Sequence, residues 1–368
     1  MLSMEPAIKR GLTFWDRRLM PQDEYEERVR LVRDAMRREG LAALIVAGNM
    51  YEDAELLYIV GGNVDGVLVL PLDGEPAIFT DSGPRESFFL RHLTWIGDLA
   101  HRGALVGAAV REALAARGVA SGRIGTAGLQ VLQSRRYRDL VEALGDYALE
   151  DAGPLLQRLR VCLRPRERLA IRRALGIAET AAAAAERAFA AGGTNAAAVI
   201  AAERTARLAG AWDFRALANL DSDELRPYEY ASDDRRVPLL LWLAARYQGY
   251  WADRVVVSGA APQMAMAAAA LAAMKREARP NASAGSVAAA GLALLSPAAR
   301  PSALEYGLGG GIGSALDQAP RIAPESADRI AAGCVLSLRV FAREEAGAGF
   351  AGALVEIDES GASDLEPL

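Results

Sequence analysis

Residues Pro238–Gly259 read PLLLWLAARYQGYWADRVVVSG. Two apolar runs of strand length flank Gln248-Gly249, a pair that suits a tight turn, so the stretch predicts an antiparallel hairpin carrying Trp242 and Asp253. Two helical patterns precede it. In LRPRERLAIRRALGIAETAAAAAERAFAAGG, Pro165 sits at a first helical turn and Gly192-Gly193 ends the pattern. A second helix is expected from Asn195 to Gly210, with strand candidates at Phe214 to Asn219 and Pro227 to Ala231. Beyond the hairpin come Ala-rich helices at about Pro262 to Arg279 and Ala284 to Leu295. Strand-like CVLSLRVF and FAGALVEID close the chain. Helices followed by antiparallel strands predict an α+β domain.

Toward the N-terminus the pattern changes. DEYEERVRLVRDAMRREG from Asp23 to Gly40 clusters its apolar residues at helical spacing, and LAALIVA from Leu41 to Ala47 is a short apolar strand. GVLVLPLDGEPAIFTD places Asp73-Gly74 as a turn between two more strands. A helix from Ala104 to Gly118, the strand RIGTAG and a helix from Ser134 to Gly145 complete an α/β domain. We place the boundary near residue 162, giving domains 1–161 and 162–368.

A chain of 368 residues, 52% apolar and 24% charged, suits two domains that each bury a core. Forty-two basic against 47 acidic side chains leave a net charge of −5, which provides no footprint for a nucleic-acid backbone. The uncharged runs Val255 to Met274 and Asn281 to Ala299 are mostly Ala, Gly and Ser with a proline inside, too weakly apolar to span a membrane. The opening MLSMEPAIKRGLTFWDRR lacks a signal peptide's apolar core, so a cytoplasmic protein is expected. Cys162 and Cys334 show neither CxxC spacing nor a disulfide framework and are expected to be structural thiols. Met264, Met266 and Met274 read as core. The run Gly307 to Gly313 fails GxGxxG in every register, and a flexible turn is expected there.

Several strings resemble the creatinase, prolidase and aminopeptidase P family, whose C-terminal domain has the pita-bread fold. RVRLVRDAMRREGLAALIVAGN resembles the family's first helix and strand, and LRPRERLAIRRALGIAETA its interdomain helix. ARYQGYWADRVVVSG resembles the metal-bearing hairpin, GLGGGIGSALDQAP the glycine-rich histidine loop, and AAGCVLSLRVF the first glutamate strand. The resemblance implies an α/β N-terminal domain followed by a pita-bread domain, and a homodimer.

The family's active peptidases hold two divalent ions with two aspartates, one histidine and two glutamates, which fix the metals and activate a bridging water. On that resemblance Asp253 alone survives. Trp242 stands at the first aspartate, Gly310 at the histidine, Arg339 at the first glutamate, and Gly352 at the second, although Glu356 lies near enough to leave that register open. Asp317 and Gln318 align with a second histidine and its glutamate, and Tyr228 with a substrate-gripping histidine. The only histidines, His92 and His101, fall in the first domain. No cofactor is expected.

Two readings of Arg339 stand side by side: a buried ion pair with Asp253, balanced by Glu356 or Asp317, or a clamp for a substrate carboxylate beside an aromatic wall of Trp242, Tyr228 and Tyr250. Trp242 also suits filling the volume the metals vacated. Asp253, Glu229 and Asp317, with Asp223, are the available acid and base groups. The reading reached is a metal-free pseudo-peptidase that binds a small amino-acid-like ligand or a partner. The alternatives are a metal-free enzyme acting on a C–N bond and a regulatory subunit of an active paralogue.

Overall fold

The computed structural model describes residues 13–49, 54–80, 83, 88–103, 105–227 and 234–368. The described residues divide into two compact units, the second beginning at Val161.

In the first unit, α1 (Gln22–Glu39) carries Asp23 and Glu24 in its first turn and Arg37 and Arg38 in its last, matching the helix dipole at both ends. It stops at Gly40, where the Leu41 N–H donates to Met36 O. Strand β1 (Ala43–Gly48) is buried at every residue because both faces of its sheet are covered. Val46, Leu44 and Leu68 pack toward Val29, Val32 and Met36 of α1 and toward α2 (Ala54–Val60). Ile45, Val67 and Phe79 pack toward Val110 and Leu114 of α3 (Gly107–Ala116) and Leu140 of α4 (Ser134–Ala143).

The six-stranded sheet has the order β4 (Asp98–His101), β3 (Ala77–Thr80), β2 (Gly66–Pro71), β1, β5 (Arg123–Ala127), β6 (Ala148–Asp151). The β2–β3 hairpin turns where Asp73-Gly74 predicts it. Helix α5 (Gly153–Val161) ends this half. Strands β4 and β6 are short, partly exposed and polar, so they carry no strand-like pattern in the sequence.

In the second unit, α6 (Pro165–Ala190) starts with Pro165 in its first turn, and Glu167 reaches back to accept the Arg164 N–H at 2.8 Å. Helix α7 (Asn195–Leu208) is capped by the Thr194 hydroxyl. One sheet has the order β10 (Tyr250–Ser258), β9 (Leu239–Tyr247), β7 (Asp213–Ala218), β8 (Arg226–Pro227). The β9–β10 hairpin turns through Gln248 and Gly249, both left-handed, as a two-residue turn of this hand requires.

The other sheet has the order β12 (Gln318–Arg321), β11 (Gly309–Gly311), β13 (Val335–Glu344), β14 (Gly347–Asp358), β15 (Gly361–Asp364). Helices α8 (Met264–Glu277), α9 (Ala284–Leu292) and α10 (Arg300–Glu305) cover it through Ala270, Met274, Val287 and Ala303. Met274 is fully buried, while Met264 and Met266 pack at the margin of that core. Among the described residues no helix is long and apolar enough to cross a membrane.

The glycine run corrects the expectation of a flexible turn. Gly309–Gly311 is a buried strand between β12 and β13. At Gly309, with φ 103°, a Cβ would lie 1.8 Å from Ser337 O, so the strand passes closer to its neighbour than any side chain allows. Gly309→Ala is expected to cost about 2–4 kcal/mol in denaturant unfolding. Gly176→Ala, in mid-α6 with only ordinary contacts from 3.6 Å, is expected to stabilise by about 0.5–1 kcal/mol.

Candidate functional site

In the β9–β10 ladder Trp242 pairs with Val255 and Ala244 with Asp253. Because side chains alternate along a strand, Trp242, Asp253 and Val255 share one face. On β13, Ser337 and Arg339 are two apart and likewise share a face. The two sheets meet where Gly352 of β14 approaches β10: a Cβ there would lie 2.5 Å from Val255 Cγ2. Arg339 pairs across from Gly352, and Glu356 sits farther along opposite Val335.

These strands converge on one carboxylate. Asp253 is 6% exposed. Its Oδ2 accepts from Trp242 Nε1–H at 2.8 Å and from Ser337 Oγ–H at 2.6 Å. Arg339 Nη1 lies 3.6 Å from the same oxygen, and its guanidinium carbon is 5.3 Å from the Trp242 ring centroid. A buried carboxylate is tolerable because hydrogen bonds and a countercharge replace its water. The hydrogen bonds come from the two neutral donors. Arg339 supplies charge at a distance, and its buried Nε has no hydrogen-bond partner.

The remaining sequence candidates divide. Asp317 Oδ1 lies over Gly310, 3.3 Å from where a Cβ would stand, and Gly310 pairs with Ser337, so Asp317 borders the cluster. Tyr250 does not join Trp242 as an aromatic wall. Three residues from Asp253, it faces the other side of the sheet, where its hydroxyl donates to Glu167 Oε1 of α6 at 2.7 Å. Glu356 does not balance Arg339: it pairs with Arg168 at 3.4 Å and Arg172 at 3.0 Å. Asp223 pairs with Arg236 at 3.0 Å. Tyr228 and Glu229 lie outside the described residues.

His92 and His101 are exposed in the first unit. Ser337 is the participant that sequence reading missed; its signal was its place two residues before Arg339, on the same strand face.

An α/β domain followed by helices laid over two antiparallel sheets, with polar side chains from several strands gathered on one of their faces, defines a creatinase-like protein of the pita-bread class. The chain belongs to metallopeptidase family M24, whose model matches residues 170–359, and residues 28–162 match the creatinase/prolidase N-terminal domain. Its fold is similar to that of X-Pro aminopeptidase from Thermotoga maritima MSB8, at 18% identity and TM-score 0.75 over 94% of this chain and 97% of that one. It is similar to the prolidase from Pyrococcus horikoshii OT3, at 18% identity and TM-score 0.71 over 92% and 97%. The N-terminal domain of FACT complex subunit SPT16 from chickpea, Cicer arietinum, also shares the fold, at 14% identity and TM-score 0.68 over 93% and 96%. No curated protein sequence matches the chain.

The described residues around Asp253 do not fit a pair of divalent metals. Beside that carboxylate stand an indole, a hydroxyl and a guanidinium, with Asp317 at the border, and the indole and hydroxyl spend their protons on Asp253. Among the described residues no three His, Cys, Asp or Glu side chains form a group able to hold a metal ion. A fixed guanidinium 3.6 Å from the carboxylate adds repulsion against any cation.

Ser337→Ala is expected to cost about 1.5–3 kcal/mol in denaturant unfolding, because a buried anion loses a donor; Trp242→Phe is expected to cost at least as much, by also leaving a gap. The two thiols differ in exposure. Burial pushes Cys334 up to about 12 and raises Cys162 above its ordinary value, but only Cys162 is on the surface. A thiol reagent at pH 8 is expected to titrate one cysteine per native chain, slowly, and two after denaturation.

Proposed function

We propose that this protein is a metal-free homologue of Xaa-Pro peptidases that keeps the pita-bread cleft to bind a small amino-acid-like ligand. The observation carrying this reading is the state of Asp253: the one carboxylate at a former ligand position is hydrogen-bonded to Trp242 and Ser337 and faces Arg339. Peptide hydrolysis by the metal route needs an ion to lower the pKa of a bound water and polarise the carbonyl. Indole, guanidinium and a β-carbon-free glycine supply neither function. The two hydrogen bonds on Oδ2 fix the carboxylate in place, and the guanidinium beside it gives a ligand a charge to bind, which favours binding over proton abstraction. For this reason the pseudo-peptidase is preferred here to a metal-free enzyme acting on a C–N bond.

We extend the proposal to a homodimer working in the cytoplasm, a compartment in keeping with two free cysteines. A paralogous partner subunit is the variant of this proposal that co-purification from the native host tests. Sedimentation of the purified protein is expected to give twice the chain mass.

Protein purified with added manganese or zinc is expected to hold well under one ion per chain and to leave Xaa-Pro dipeptides uncleaved. About two ions per chain, or turnover abolished by a chelator, would refute the proposal.

A further inference from the structure

The weakly satisfied group in this site is Arg339. Its Nη1 stands 3.6 Å from Asp253, beyond hydrogen-bond reach, and its Nε is buried without a partner. Asp253 has taken its hydrogen bonds from Trp242 and Ser337 instead. A guanidinium presents five N–H donors in a planar fork, and leaving such donors unmet in a mostly buried position is unfavourable. Its side chain is 21% exposed, so part of it meets solvent through atoms other than the buried Nε.

A cavity of 60 Å³ lies against Arg339, Asp253 and Gly352. On the same measure about 10–15 Å³ admits one water, so a carboxylate-sized group fits. The other charged side chains lining the cavity are Arg254, Glu179 and Asp364, and Asp364 is held by Lys275 at 2.6 Å. With Asp364 matched by Lys275, the other four charges sum to zero, so what the cavity offers an anion is the unmet donors of Arg339 and not a net positive charge.

We infer that Arg339 is the anchor for a carboxylate of the bound ligand, held through its fork while the Trp242 ring stacks beside the guanidinium. The inference rests on the proposed ligand-binding role and names the ligand's chemical class: a small molecule with a free, planar carboxylate. Two parallel N–H···O bonds match a carboxylate better than a tetrahedral anion in so small a space. Lysine does not replace the fork, since its ammonium offers one point of charge.

The test is titration of the full chain with N-acetyl-leucine, its amide N-acetyl-leucinamide, and inorganic phosphate, followed by tryptophan fluorescence and calorimetry. N-acetyl-leucine is expected to bind, with the amide and phosphate at least tenfold weaker. Arg339→Lys is expected to weaken N-acetyl-leucine binding about tenfold or more, and Arg339→Met to abolish it, with both variants checked for native circular dichroism. Equal binding of acid and amide, phosphate binding as tightly as the acid, no binding of the acid by the native chain, or unchanged binding by a folded Arg339→Lys or Arg339→Met protein would each overturn the assignment. Metal content separates the two ideas: any of these results with less than one ion per chain removes the anchor alone, whereas two ions per chain removes the metal-free reading beneath it.

Discussion

The desolvated carboxylate of Asp253 organises the second unit's polar interior. An anion this buried persists only where the surrounding strands aim donors at it, and here the donors come from β9 and β13, elements far apart in sequence. Arg339 adds positive charge without completing a hydrogen bond. The arrangement is therefore a hydrogen-bonded anion with a nearby cation rather than a saturated ion pair. That difference bears on what the site offers a ligand: one carboxylate oxygen is taken by neutral donors, and the guanidinium keeps donors to offer.

Bringing those strands together depends on backbone contact that excludes side chains. Gly309 runs against the carbonyl of Ser337, and Gly352 leaves room for Val255 between β14 and β10. Both glycines serve the approach of neighbouring strands. The absence of a Cβ at Gly352 is what allows the apolar Val255 to close the space. Packing and hydrogen bonding hold the site together, with Trp242 contributing both its volume and its N–H.

Much of the fold was legible. The β9–β10 hairpin, α1 with its stop at Gly40, and α6 from Pro165 follow from turn residues, helical spacing and capping, all of which act over a few neighbours. Strands β4 and β6 were not legible, because short edge strands with exposed, polar residues carry no alternation to read. The Gly309–Gly311 strand was hidden for a different reason: glycine reports conformational freedom in a sequence, and only the adjacent strands reveal that close approach rather than flexibility demanded it. Within the site, the period of two did contain one unread signal, since Tyr250 and Asp253 are an odd number apart and so belong to opposite faces.

By itself the sequence determined where the long helices and the hairpin form, how the hairpin turns, and that histidine is absent from the whole second half while the hairpin carries one carboxylate. Tertiary structure decided the assignments. It placed Ser337 on Asp253, sent Tyr250 to Glu167 and Glu356 to Arg168 and Arg172, and set Gly352 opposite Arg339. Local patterns fix which face of a strand a side chain occupies, through the geometry of the backbone. Which partner waits on that face depends on how distant strands pack, and that is set by contacts no neighbouring residue encodes.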